Sequence, residues 1–210
     1  MPTKSSPKKP AAKPRPTFAR ALPYILIIGG ILGVIAAAIL TYDHNKIIQN
    51  PNYVPNCNLN PIIACGSVIK SKQAQAFAVP NPYIGLVAFP MVVTAGMALL
   101  AGAKFKRWFW LLLEIGTIFG LGFVHWLFFE TVYRIQALCP YCIGVWIITI
   151  TTFWYVTLYN LQAGNLFKSA QNSKFVNFIS RHHLDILIVW FLIIAGLTLQ
   201  HFWYYYGKYF

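Results

Sequence analysis

Five apolar runs decide what this chain can become. They cover roughly 22–42, 83–101, 108–129, 140–159 and 184–204. A bilayer core about 30 Å thick takes roughly twenty residues at about 1.5 Å each. Only helices and closed barrels satisfy the backbone at that depth. The runs therefore predict an all-α integral membrane protein with five transmembrane helices. Aromatic residues suited to the lipid–water boundary mark many of their ends: Tyr42, Tyr83, Trp108, Tyr159, Trp203 and Tyr204. Pro90, inside the second run, predicts a kink. The first run is longer than a signal-peptide core, and Ile39 and Leu40 follow its small residues Ala36, Ala37 and Ala38. It reads as a signal-anchor helix.

Composition agrees. The chain is 58% hydrophobic and 10% charged, against about 25% charged for a soluble domain. Seventeen basic and four acidic residues give a formal net charge of +13. Such an excess can mark nucleic-acid binding, but here the bases lie between apolar runs. No nucleic-acid partner is expected, and the charge reads as topology. Lys4, Lys8, Lys9, Lys13, Arg15, Arg20, Lys104, Lys106, Arg107, Lys168, Lys174 and Arg181 share one side; Lys46, Lys70, Lys72, Arg134 and Lys208 share the other. The richer side is cytoplasmic by the positive-inside rule. The amino end is then inside and the carboxyl end outside.

That orientation puts all four cysteines outside, where disulfides persist. Cys57 and Cys65 fall in the first outer loop, and Cys139 and Cys142 open the fourth helix. The loop, 43–82, is too long to stay structureless in a compact protein. Its second half, "GSVIKSKQAQAFA", alternates an apolar side (Val68, Ile69, Ala76, Phe77) with a polar one. A short lid helix on the outer face is expected there.

Pro140 suits a first helical position, which puts Cys139 at the cap and Cys142 in the first turn. Unpaired amides and the dipole end stabilise a thiolate there. Cys57 and Cys65 would form a disulfide accessible to another protein, in a loop with little packing of its own. Exchange between the two pairs would move two electrons inward. Two structural staples and a four-cysteine zinc site are the alternatives. The seven-residue spacing is atypical of zinc ligand pairs, and a staple across two residues restrains little chain. Four cysteines allow three pairings.

In order and spacing these residues resemble the vitamin K epoxide reductase family, specifically its bacterial members. The resemblance rests on Cys57-x7-Cys65, Ser71 six residues later, Asn81-x3-Gly85 at the second helix, and Cys139-Pro-Tyr-Cys142 at the fourth. It runs from about residue 22 to 159. It implies a four-helix bundle holding a membrane quinone, ubiquinone or menaquinone, near its outer end. Cys142 would then reduce the quinone, Cys139 would exchange with Cys65, and Cys57 would take electrons from a thioredoxin-like or DsbA-like protein. Ser71 and Asn81 would lie beside the quinone, with Asn81 a donor to a quinone oxygen. Trp146 stands where the animal enzymes carry a tyrosine. No fused thioredoxin-like domain is expected after the fifth helix, and a separate partner is expected instead. DsbB-type oxidases place their Cys-x-x-Cys in the first outer loop, the reverse of the order here.

The expected division is a disordered basic cytoplasmic tail over 1–20, a catalytic bundle over 21–160 and a cytoplasmic loop over 161–183. A fifth helix with the outer carboxyl end fills 184–210. The function expected is a membrane thiol–disulfide oxidoreductase of the cell (inner) membrane that supports disulfide formation. Quinone or quinone-epoxide reduction is one alternative, and a non-catalytic stapled scaffold is another. His125 and Glu130 are candidate proton relays, although an interior histidine and an interfacial cap are the plainer reading. Glu114 is expected to pair or to snorkel.

Overall fold

The computed structural model describes residues 18, 20–167 and 173–207. Helix α1 spans Leu22–Gln49, α2 Cys65–Ile69, α3 Asn81–Leu100, α4 Arg107–Phe129, α5 Pro140–Ala163, α6 Lys174–Arg181, α7 His183–His201 and α8 Trp203–Tyr206. A 3-10 turn covers Lys72–Gln75, and α4 continues as a π-helix over Glu130–Ile135. Five of these helices are long and apolar enough to cross a membrane: α1, α3, α4 with its π extension, α5 and α7.

Helices α1, α3, α4 and α5 form the bundle. Helix α3 lies along α1, while α1 and α4 both pack on α5. Small residues set the α1–α3 approach, as is common between membrane helices. A Cβ on Gly96 would come within 2.9 Å of the Pro23 carbonyl oxygen and 2.8 Å of Ile27. Helices α3 and α4 stand apart, and the space between them is the main cavity. Helix α7 leans on the outside of the bundle, where Trp190 donates to His125 Nε2 at 3.1 Å and Trp154 to the His183 carbonyl at 3.0 Å.

Several elements differ from the expectation. Helix α1 runs seven residues past Tyr42, because Asp43 and His44 turn inward and are buried; Asn50 and Pro51 then end it. The lid is two short pieces rather than one helix, broken at Ser71, whose backbone is extended (φ −72°, ψ 153°). The fifth span ends at His201, before the short α8. The basic tail lies outside the described residues except for Phe18 and Arg20. Phe18 is buried edge-on against Tyr155 and His183, so order reaches into the segment expected to be disordered. Lys168 and Lys208 also lie outside the described residues.

Glu114 neither meets a cation nor reaches the surface. It is buried, and it accepts hydrogen bonds from Thr157 (2.7 Å) and Asn160 (2.8 Å) on α5. Those partners hold α4 against α5, because a buried polar group is costly unless it is hydrogen-bonded.

Candidate active site

Backbone pairing brings the two cysteine segments together. Ile63 and Leu138 form an isolated parallel bridge: Leu138 N–H donates to the Ile62 carbonyl at 2.6 Å, and Ala64 N–H to the Leu138 carbonyl at 2.9 Å. Each segment's cysteine follows at once. A left-handed Gln136 (φ 57°) turns the chain out of the π-helix into this pairing. On the loop side, Asn60 Oδ1 accepts the N–H groups of Ile62 (2.9 Å) and Ile63 (2.6 Å), and Asn58 Oδ1 accepts that of Gly66 (2.9 Å). The asparagines thus shape the turn and cap α2.

The result is a row of sulfurs. Cys57 and Cys65 are joined as a disulfide with S–S 2.09 Å. In this state they have no thiolate to offer a metal. Cys139 and Cys142 are free. Cys139 Sγ lies 3.1 Å from Cys65 Sγ, within the roughly 3–3.5 Å of a near-attack arrangement. Cys65 and Cys139 have no exposed surface, and they pack with Leu40 and Ile69. Cys139 caps α5 with Pro140 next, as the spacing predicted. Its thiol is held below the ordinary thiol range, chiefly by the hydrogen bond from the Cys142 thiol. Backbone N–H groups of Cys142 and Tyr141 add to that effect, while burial and the nearby Asp43 carboxylate oppose it.

Cys57 departs from the expectation of an accessible disulfide in a loosely packed loop. It is only 7% exposed. The loop is tied down by Tyr53, whose hydroxyl donates to Asp43 at 3.0 Å, and by Lys70, which donates to the Pro51 carbonyl at 3.1 Å. The Asp43 bond pushes the Tyr53 phenol above its ordinary range.

Cys142 faces the other way, into a cavity of about 660 Å³. That falls within the roughly 300–1,000 Å³ of small-molecule sites. The cavity follows the α3–α4 gap from Cys142, Ser71 and Asn81 to Trp108 and Phe109 at the opposite end. Its wall is overwhelmingly apolar; His44, Ser71, Gln73, Asn81 and Thr131 lie toward the cysteine end, and Thr117, Thr149 and Thr152 deeper. Ser71 lines it while donating to the Val68 carbonyl at 2.6 Å. Asn81 also lines it, but its amide holds the lid: Nδ2 donates to the Gln73 carbonyl at 2.8 Å, and Oδ1 accepts from Ala76 N–H at 3.0 Å. Trp146 lines the same wall, edge-on to Phe128.

The two relay candidates are otherwise employed. His125 donates through Nδ1 to the Leu121 carbonyl (2.9 Å) and accepts Trp190 on Nε2, which clamps α7 to α4. Glu130 is buried; it pairs with Arg134 at 3.4 Å and accepts from Gln73 at 3.2 Å. Sequence reading missed His44, which lines the cavity, and the Ile63–Leu138 bridge. One signal for His44 was its place one helical turn beyond Leu40. The bridge joins segments 75 residues apart (138 minus 63) and left no local signal.

A disulfide and a dithiol in contact inside a membrane helix bundle, beside an apolar cavity, are the makings of a multi-pass membrane thiol–disulfide oxidoreductase. The model of the vitamin K epoxide reductase family matches residues 24–157, and the chain belongs to that family. Compared with curated proteins one by one, the chain matches none.

Proposed function

We propose that this protein draws electron pairs from a reduced thioredoxin-like protein on the outer side of the membrane and delivers them to a membrane quinone, through Cys57, Cys65, Cys139 and Cys142 in that order. Residues 21–160 are the catalytic bundle on this reading, with the cysteine end facing outward. The observation that carries it is the 3.1 Å contact of Cys65 and Cys139 sulfurs beside a Cys142 that lines an apolar cavity.

The steps balance as thiol–disulfide exchange. A partner thiolate attacks Cys57 and releases Cys65 as thiolate; the partner's second thiolate then attacks its own mixed disulfide, releasing Cys57 as thiolate, and the partner leaves as a disulfide. Cys65 attacks the sulfur of Cys139 in an oxidised Cys139–Cys142 pair and releases Cys142. Cys57 closes again on Cys65, and Cys139 departs as a thiol. The arrangement reached is the one in this structure: outer pair oxidised, inner pair reduced. The inner pair then returns to a disulfide as the quinone takes two electrons and two protons. An elongated apolar cavity suits a ring with a greasy tail. Ser71, Asn81 and Trp146 are the polar-edged residues beside the ring.

The test uses a double variant, Cys57→Ser with Cys142→Ser. Mild oxidation joins Cys65 to Cys139, seen as a cross-linked peptide by mass spectrometry under non-reducing conditions. Single serine variants of each cysteine abolish quinone reduction driven by the reduced partner. Absence of the Cys65–Cys139 cross-link overturns the relay. Reduction of a quinone epoxide is the second reading, favoured by the family's name. Turnover of epoxide with a dithiol distinguishes it.

A further inference from the structure

We propose that His44 is the catalytic residue that carries a proton from Cys142 to the quinone, an assignment that rests on the quinone reading above. Moving two electrons from a dithiol to a quinone breaks two S–H bonds and makes one S–S and two O–H bonds. At least one proton must travel inside a cavity whose wall is almost wholly apolar. Among the described residues lining that cavity, Cys142 carries a thiol and His44 an imidazole; the rest are apolar, hydroxyl, amide or indole side chains, which do not relay protons as acid and base.

His44 is placed and unoccupied for the task. It lies one turn beyond Leu40, which packs against the sulfur row, so it stands at the same end of the cavity as Cys142. It is 6% exposed. Neither ring nitrogen is hydrogen-bonded among the described residues, and neither is fully enclosed, unlike Thr41 Oγ1 and His201 Nε2, so both keep accessible surface for a proton to reach. Its one ring neighbour is Tyr83 from α3, edge-on with centroids 6.5 Å apart, and the Tyr83 hydroxyl is turned to Asn45 at 3.1 Å. The ionisable groups around it are few: Asp43 beside it on α1, Tyr83 on α3, and Cys142 on α5 across the cavity. Asp43 is engaged by Tyr53 and forms no ion pair with His44. Of the other interior ionisable groups, buried Glu130 and Glu114 and half-buried His125 are all hydrogen-bonded elsewhere.

In the step, neutral His44 takes the proton of the Cys142 thiol and gives it to the nearer quinone oxygen. Both electrons come from the sulfurs as Cys139 and Cys142 join. Cys139 reacts as the thiolate, its proton lost beforehand, and the quinol anion so formed takes the second proton when it next meets water. A side chain in this role contributes about 10²–10⁴-fold in rate.

The experiment compares the full chain with its His44→Gln variant, using a short-chain ubiquinone as probe. Each protein is first reduced at Cys139 and Cys142 and then mixed rapidly with the quinone across a range of pH. Expected are a fall of about 10²-fold or more in quinone reduction and a flattened pH dependence, with reduction of Cys57–Cys65 by an external dithiol within about twofold of wild type. Nitrogen-labelled histidine spectra of the unaltered protein provide a second measurement, in which the His44 ring signal shifts on addition of the quinone. An unchanged rate and pH profile in His44→Gln, or a ring signal indifferent to quinone, overturns the assignment while leaving the relay intact. A wild-type protein that exchanges thiols but reduces no quinone overturns both.

Discussion

Replacing Asn60 by alanine tests whether the buried Cys57 is reached only by opening its loop. Asn60 Oδ1 takes two backbone N–H groups, those of Ile62 and Ile63. Each bond contributes about 0.5–1.5 kcal/mol net, so the docked loop loses roughly 1–3 kcal/mol. That multiplies the open population by about 5–150. Cys57 is 7% exposed in the closed form, so an external thiol attacks mainly the open one. When closing is faster than attack, the rate follows the open population. Reduction of the Cys57–Cys65 bond by a small dithiol therefore accelerates by that factor in Asn60→Ala. The assay quenches the reaction with an alkylating reagent and counts modified thiols by intact-protein mass. Hydrogen exchange at Asn58 and Leu59, whose N–H groups donate to the Pro55 and Ile63 carbonyls and keep those acceptors in the variant, reports opening independently. Quinone reduction from a pre-reduced inner pair stays unchanged, because nothing at Cys142 is touched. Faster hydrogen exchange without faster disulfide reduction would refute the gating argument, since the loop would then open without governing access.

Two further outcomes follow from the same geometry. In Cys142→Ala the Cys139 thiolate loses the hydrogen bond that chiefly lowers its pKa, so thiolate ultraviolet absorbance rises at higher pH than in wild type, where the depressed pKa keeps thiolate present at lower pH. Gly96→Val forces a side chain against the Pro23 carbonyl and Ile27, costs about 1–3 kcal/mol and lowers the thermal midpoint, whereas Gly116→Val, with open space around it, leaves the midpoint near wild type.

The membrane helices were legible because length and hydropathy alone fix them. Cys139 as a cap was legible because Pro140 has one favourable place in a helix. What lay hidden was set by contacts between distant segments. Cys57 was read as accessible because its neighbours are turn-forming asparagines and prolines. In the fold, Asn58 and Asn60 spend their side chains on the loop's own backbone and close it over the sulfur. Glu114 was expected to pair or to snorkel, and its partners Thr157 and Asn160 were hidden because they lie more than forty residues away. His44 was passed over because hydropathy ends the first run at Tyr42, while the helix itself continues to Gln49. Asn81 kept its place beside the cavity, but it bonds to the Gln73 carbonyl and the Ala76 N–H, a lid-holding part that no motif spacing discloses.

Thiol–disulfide exchange requires sulfur to touch sulfur, so a relay between water and lipid cannot be loose everywhere. On the proposed relay the contact that every electron pair crosses is Cys65 to Cys139, and both residues there have no exposed surface. The parallel bridge fixes their segments in register immediately before each cysteine. The two ends face different demands. On that reading Cys142 needs a largely apolar wall that admits a ring, and the cavity between α3 and α4 has one. The proposed protein partner would need occasional access to Cys57, and the restraints on its loop, from Tyr53, Lys70 and Asn60, are individually weak polar bonds. Opening at Cys57 can therefore occur without separating Cys65 from Cys139 only if the loop hinges before the bridge. That makes the stretch between Tyr53 and Asn60 the moving part, and 62–66 the fixed one.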